Sequence, residues 1–305
     1  VGAAEGGAPV TRLLVTGAGG MLGRDLVTVL RARPDRSVTA ATRADLDVTD
    51  PDAVRDAVAG HDVVLNAAAW TDVDGAQTRE RDATAVNGDA VAHLARACAA
   101  TGARLVHVST DYVFGGDATR PYPEDAPTGP VNAYGRSKLA GERAVVRLLP
   151  ERGYVVRTAW LYSAHGRNFV TTVLRLAADR DRLDVVADQH GQPTWSYRLA
   201  ERLVALADAA LAGAAAPGVY HGTASGETTW YGLARAVFAL SGLDPARVRP
   251  TTGDRVPRPA PRPRYSVLAH DRWAAAKLPP PGNWHVDLAE ALADLDGRPG
   301  TPPPG

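Results

Sequence analysis

Thr11-Arg12-Leu13-Leu14-Val15-Thr16-Gly17-Ala18-Gly19-Gly20-Met21-Leu22-Gly23 decides the fold. Arg12–Thr16 reads as a short apolar strand that stops at glycines. Met21–Arg33 then takes helical spacing, with Leu22, Leu26, Val29 and Leu30 on one face. Only glycine allows the tight turn at Gly17, the close backbone approach at Gly20 and the close helix–strand packing at Gly23. The start of the Met21 helix offers unpaired N–H groups and a positive dipole end to a phosphate. Gly17, Gly19, Gly20, Met21 and Leu22 are therefore the first candidate cofactor contacts. Such a turn also occurs as a purely structural connection. What raises it here is its place at the head of a longer alternation.

That alternation runs outward from the glycines. Ser37–Thr42, Val63–Asn66, Arg104–Ser109 and Tyr154–Arg157 read as further strands. Pro51–Ala59, a long Arg79–Ala100 segment and a segment from about Tyr134 to Leu149 read as helices between them. Strand–helix alternation of this kind builds a parallel sheet with helices on both faces. The predicted fold is α/β, a Rossmann-like doubly wound parallel sheet over residues 11–158. A smaller C-terminal lobe over residues 159–296, partly interleaved with the first domain, is expected to bind substrate. There Asn168–Ala178, Tyr197–Leu211 and Trp230–Leu240 read as helices and Asp184–Ala187 as a strand. Val256–Arg264, rich in proline and arginine, reads as a loop. Residues 1–10 and 297–305, rich in Gly, Ala and Pro, read as loose tails.

The end of the second strand bears on the cofactor. An acidic residue there binds a ribose 2′-hydroxyl, whereas an arginine accommodates a 2′-phosphate. The sequence has Thr42-Arg43, with Asp45, Asp47 and Val48 shortly after. Arg43 therefore favours NADPH, with NADH the alternative. An arginine in a surface loop needs no ligand, since most arginines are exposed. The third strand ends in Asn66-Ala67-Ala68-Ala69, where small side chains let a ribose or nicotinamide lie on the backbone.

Tyr134-Gly135-Arg136-Ser137-Lys138 supplies the chemistry. A tyrosine with an ordinary pKa near ~10 exchanges protons poorly at neutral pH. A lysine one helical turn later lies on the same face, and its charge is expected to lower that pKa. Ser109 and Thr110, at the end of the fourth strand, are the candidate partner hydroxyls, because strand ends line the crevice of such a sheet. Tyr-x-x-x-Lys recurs by chance on solvated helices, so the weight lies in its conjunction with the glycine turn. Together they describe hydride transfer to a carbonyl.

Composition bounds the remaining readings. The 305 residues are 45% apolar and 22% charged, which suits a chain that buries a sizeable core. Lys+Arg and Asp+Glu both number 34, so net charge gives no reason to expect a nucleic-acid or acidic-membrane partner. The lone Cys98 cannot form an internal disulfide, fits a reducing cytoplasmic setting and reads as a small core residue. No signal segment or stretch of ~18 apolar residues is visible. His107, inside a strand, reads as a packed residue rather than an acid or base.

Several longer runs carry a resemblance. They include Asn66-Ala67-Ala68-Ala69-Trp70-Thr71-Asp72-Val73-Asp74, Ser109-Thr110-Asp111-Tyr112-Val113-Phe114 and Asn132-Ala133-Tyr134 through Glu142. Arg157-Thr158-Ala159-Trp160-Leu161-Tyr162, Asp188-Gln189-His190-Gly191-Gln192-Pro193-Thr194 and Thr228-Thr229-Trp230-Tyr231 extend it past the first domain. Over about residues 11–295 the chain resembles the dTDP-4-dehydrorhamnose reductases, extended short-chain dehydrogenase/reductases. The resemblance implies NAD(P)H-dependent reduction of the C4 ketone of dTDP-4-dehydro-L-rhamnose. It implies Thr110, Tyr134 and Lys138 as the catalytic set, with Tyr134 and Lys138 also touching the cofactor. It further implies Thr71, Val73, Tyr112 and Trp160 as substrate contacts, with Arg262 facing the diphosphate. For Trp160 and Arg262 the residues alone also fit a core position and a solvated loop charge.

The departures from the family pattern are specific. Gly75 and Pro261 stand where the family carries positive charge. Relatives that dimerise through Mg²⁺ use positions matching Asp25, Tyr197 and Asp294, and an aromatic residue has replaced one carboxylate. A homodimer thus remains compatible while the lost carboxylate disfavours a metal-bridged one, and no resident metal is expected. Two alternatives stay open: a 4-ketoreductase for a related dTDP-4-keto-6-deoxyhexose of antibiotic sugar synthesis, such as the dihydrostreptose type, and a non-catalytic regulatory subunit of the methionine adenosyltransferase kind.

Overall fold

The computed structural model describes residues 10–295. The expected tails over 1–9 and 297–305, and residue 296, lie outside them. Five strands follow one another: β1 (Thr11–Thr16), β2 (Arg36–Ala41), β3 (Val63–Asn66), β4 (Arg104–Thr110) and β5 (Gly153–Thr158). With Gly218–His221 they form one six-stranded sheet in the order Gly218–His221, β5, β4, β3, β1, β2. Every pairing is parallel. The chain leaves β1 toward β2 on one side and returns to β3 on the other. That reversal opens a crevice at the carboxyl ends of β1 and β3, the place where such sheets bind ligands.

The period-2 alternation of the strands divides the core into two layers. Leu13, Val15, Leu65, Val106 and Val156 face one side, against Leu22, Leu26 and Leu30 of the Met21–Arg31 helix and Leu199, Leu203 and Val204 of the Ser196–Leu211 helix. Leu14, Val64, Leu105 and Val155 face the other, against Val54, Val58, Val91, Leu94 and Val145. Each such fully buried side chain contributes about 1.5–3 kcal/mol. Cys98 lies in this second layer, and burial pushes its thiol up to about 12.

The remaining helices build a second core. Phe169–Asp179, Trp230–Leu240 and Trp284–Leu295 enclose Tyr162, Val173, Trp195, Phe238 and Leu288. A two-stranded parallel pair, Leu183–Val186 with Val248–Thr251, borders it. Between these pieces the chain returns to the large sheet. Ser196–Leu211 packs on Met21–Arg31, and Gly218–His221 becomes an edge strand. Trp273 then joins the first core, its Nε1 donating to the His221 carbonyl.

One predicted element differs. The long helix expected over Arg79–Ala100 is two helices, Glu80–Thr84 and Ala90–Thr101, joined by a π-helical turn at Ala85–Asp89. The reason is Asn87, which the wider turn aims inward. Its Oδ1 accepts from the Trp70 N–H at 2.9 Å, and its Nδ2 donates to Trp70 O at 3.1 Å and to Ser137 Oγ at 2.9 Å. The distortion ties the segment after β3 to the helix that carries Tyr134 and Lys138.

Candidate active site

The crevice deepens into a cleft of about 840 Å³ between the sheet and the second core, inside the range of roughly 300–1,000 Å³ usual for small-molecule sites. One end is built by the glycine turn. Gly17 has φ +70, and a Cβ there would lie 2.6 Å from Ala68 N, so the turn after β1 rests directly on the Ala67–Ala69 segment after β3. Gly20 caps the Met21–Arg31 helix without any side-chain acceptor, and the first turn has no acidic residue. Its leading N–H groups are left for an anion. These features fit a dinucleotide pyrophosphate.

Met21, Leu22, Gly19, Arg43, Asp47 and Val48 line the same end. Both carboxylates after β2 are engaged by neighbouring backbone and hydroxyl groups. Asp45 Oδ2 accepts from the Thr42 N–H at 2.9 Å and Thr42 Oγ1 at 2.6 Å, and Asp47 Oδ1 accepts from the Thr49 N–H and hydroxyl at 2.9 and 2.7 Å. These bonds hold both carboxyls below their ordinary range. Arg43 is exposed on the cleft wall beside them, a cation at the position that selects between a ribose hydroxyl and a ribose phosphate.

The chemical end is set by β4 and the Ala133–Leu148 helix. Asn132 caps that helix by accepting from the Gly135 N–H at 2.8 Å, while its Nδ2 donates to Pro261 O at 2.9 Å. Tyr134 and Lys138 then point at the end of β4. Of the two candidate hydroxyls, Ser109 is spent, donating to Glu142 Oε1 at 2.5 Å. Thr110 is the one that meets Tyr134. Its Oγ1 also donates to Asp111 Oδ1 at 2.9 Å and accepts from the Tyr112 N–H at 3.2 Å. The Tyr112 and Tyr134 rings meet edge to face, 5.9 Å apart.

The electrostatics depart from the sequence expectation. Tyr134 is not lowered. Burial and the nearby Asp111 charge push it up to about 12, against the smaller opposing effect of the Thr110 hydroxyl. Lys138 is buried, and burial pulls it down to about 8, against the opposing charge of Glu142. Its Nζ donates to Val108 O at 2.6 Å instead of reaching the phenol. Asp111, 2% exposed, is raised to about 6 by burial, with Oδ2 unpartnered. His107 is fully buried, its Nδ1 beside Asn66 Nδ2 at 2.9 Å, and burial holds it neutral.

Behind the helix, Glu142 anchors Arg157 of β5 through bonds of 2.8, 3.0 and 3.2 Å. This ion pair, about 5% exposed, fixes the helix to the two strands under the site.

The cleft brings together Thr71, Val73, Tyr112 and Trp160 with Thr110, Tyr134 and Lys138. Arg262 is not among the cleft-lining residues. Its guanidinium, only 9% exposed, is held by Asp74 through bonds of 2.9 and 3.0 Å and by Ala260 O at 2.7 Å. Two residues escaped the sequence reading as site components. Asn87 gave no signal beyond its place in a helical pattern. Trp230, noted only within a family-like run, stacks on Trp160 with ring centroids 3.6 Å apart and lines the cleft. Trp160 itself has φ +47, a left-handed backbone that costs a large residue about 1–3 kcal/mol.

The family model described as the RmlD substrate binding domain matches residues 11–296. A dTDP-4-dehydrorhamnose reductase of Streptomyces griseus is 57% identical, covering 97% of this chain and 98% of its own. A dTDP-4-keto-6-deoxy-D-glucose reductase of Streptomyces niveus is 51% identical over 93% and 98%. Among solved structures, a dTDP-4-dehydrorhamnose reductase of Bacillus anthracis in complex with NADP superimposes with a TM-score of 0.88 at 32% identity, over 93% of this chain and 99% of that one.

Proposed function

The chain belongs to the RmlD substrate binding domain family, and from that premise we propose that it reduces the C4 ketone of dTDP-4-dehydro-L-rhamnose to dTDP-L-rhamnose with NADPH. The observation that carries the reading is the convergence of Thr110, Tyr134 and Lys138 at one end of a cleft whose other end is an uncapped helix N-terminus.

NADPH, when bound, supplies hydride to C4. The protein handles the proton. Tyr134, protonated at neutral pH, donates its phenolic proton to O4 as the carbonyl oxygen becomes an alkoxide. Thr110 stands beside it and fixes the hydroxyl. The buried Lys138 supplies positive charge near the phenolate that forms, which lowers the cost of leaving that charge in the site. Gly17, Gly19 and Gly20 with Met21 and Leu22 hold the pyrophosphate, Ala67–Ala69 floor the ribose and nicotinamide, and Arg43 takes the 2′-phosphate. Thr71, Val73, Tyr112 and Trp160 hold the sugar nucleotide.

A related ketosugar is the second reading. It is favoured by the Streptomyces niveus relative, and by Gly75 and Pro261 where the family has positive charge, together with the engagement of Arg262 by Asp74. The assembly that fits is a homodimer without bridging metal. The charges of Asp25 and Asp294 both act on the Tyr197 phenol, and Asp25 Oδ2 already accepts from the hydroxyls of Ser163 and Ser196. No helix among the described residues is long and apolar enough to cross a membrane, and a cytoplasmic setting suits a reductant such as NADPH.

The test is NADPH oxidation with enzymatically generated dTDP-4-dehydro-L-rhamnose, with Tyr134→Phe alongside. Turnover that the variant reduces by about 10²–10⁴, with cofactor affinity retained, supports the reading. Wild type and variant equally inert, with cofactor bound, would point to a regulatory subunit.

A further inference from the structure

The Trp160–Trp230 stack spans the boundary between the two cores. Trp160 lies just past the end of β5, and Trp230 begins the Trp230–Leu240 helix of the second core. Their ring planes are 11° apart, and Phe169 packs on Trp230 with centroids separated by 4.6 Å. The Trp160 backbone is held as well: its carbonyl accepts from the Thr194 N–H at 3.2 Å, in the left-handed conformation that a bulky residue rarely adopts. A third element shapes the indole pocket. Gly191 lies against the Trp160 ring so closely that a Cβ there would sit 2.5 Å from Cε2. Gly191 in turn pairs with Thr228, two residues before Trp230. Strained backbone, ring stack and glycine floor thus lie within one small structure.

We propose that Trp230 is a positioning residue for the reduction: with Gly191 it clamps the Trp160 indole in one orientation and so fixes the wall against which the sugar nucleotide lies. This rests on the reading of Trp160 as a substrate contact. A strained residue persists only where its surroundings over-determine it, and removal of the stack frees Trp160 to relax into other rotamers. The cleft then pays to order the wall each time substrate binds. Cofactor contacts at the glycine turn are untouched. The expected signature is therefore a KM effect specific to the sugar nucleotide.

The experiment uses the full chain. A stacked indole pair gives an exciton couplet in far-ultraviolet circular dichroism, which should be present in the ligand-free protein and lost in Trp230→Phe. Trp230→Ala should raise KM for the sugar nucleotide about three- to tenfold, the equivalent of an aromatic pair. It should leave kcat within about twofold and NADPH affinity unchanged. Trp230→Phe should restore most of the KM, because a flat ring still covers the indole. Gly191→Ala, which intrudes on the indole without removing either tryptophan, should lose the couplet and raise KM similarly. It serves in place of Trp230→Ala if that variant does not fold. Unchanged KM in the alanine variants, a defect that Trp230→Phe does not relieve, or a wild type without a couplet would each overturn the clamp. A wild type that shows the couplet yet oxidises no NADPH with any dTDP-ketosugar overturns the proposed reaction instead, and the loss of the couplet in Gly191→Ala then decides the clamp alone.

Discussion

Lys138 Nζ donates to the carbonyl of Val108 at 2.6 Å, so the ammonium is seated on the last turn of strand before Ser109 and Thr110 rather than on the Tyr134 phenol. Tyr134 itself is raised to about 12 and Lys138 lowered to about 8. Above neutrality it is therefore the lysine that changes charge, while Asp111 titrates at about 6. Reduction is expected to be level between about pH 7 and 8 and to fall above that as the cation is lost. Lys138→Arg, which keeps its charge, should move that limb upward. A basic limb that stays in place in a folded Arg variant would assign it to another group.

Seating that cation costs stability. The folded pKa of about 8 lies below the ordinary 10.5, so between those values the unfolded chain binds more protons and stability rises with pH. The penalty is fully present below pH 8 and amounts to something on the order of 3 kcal/mol. Lys138→Met should thus be more stable than the parent at pH 7 while inactive, with the gap closing between pH 8 and 10.5. Urea midpoints across that range check it, and a variant that is less stable at pH 7 sinks the argument.

Glu142 presents the opposite case. Its carboxylate binds both Arg157 and Ser109 in the interior. Removal of one member of a buried pair leaves the other uncompensated and costs about 3–5 kcal/mol. Glu142→Ala should lower the urea midpoint accordingly, whereas the double change Glu142→Leu with Arg157→Met should recover much of the loss. A single variant of near-parental stability would show that water or another group reaches Arg157.

On the proposed reading Arg43 selects between the two cofactors. A charge-assisted contact to a 2′-phosphate contributes about 1.5–3 kcal/mol, or roughly 10- to 100-fold in affinity. Arg43→Ala should weaken NADPH by that factor and leave NADH nearly unchanged, as read by fluorescence titration. Equal loss for both cofactors would place the arginine elsewhere.

The sheet was legible because its signals are local. Each strand carries its own apolar run, and the Gly17 turn announces the crevice beside it. Tyr134 and Lys138 were legible for the same reason, one helical turn apart. What escaped depends on partners distant in sequence. The inward turn of Asn87 is set by Trp70 and Ser137. The engagement of Arg262 depends on Asp74, 188 residues away. The raised Tyr134 depends first on its own depth of burial and then on the nearby Asp111 charge, neither of which spacing reports. Trp230 looked like any aromatic residue at the head of a helix.

The return of Ser196–Leu211 and Gly218–His221 to the large sheet has a consequence for biosynthesis. β5 is an outer strand of that sheet until residues 218–221 pair with it, and the Met21–Arg31 helix lacks its main cover until residues 196–211 arrive. A ribosome delivers both only once synthesis has passed residue 221, well after β1–β5 have been made. The amino-terminal half should therefore wait on the ribosome with an open apolar face and a free strand edge, a client for a holding chaperone rather than an independently folding unit.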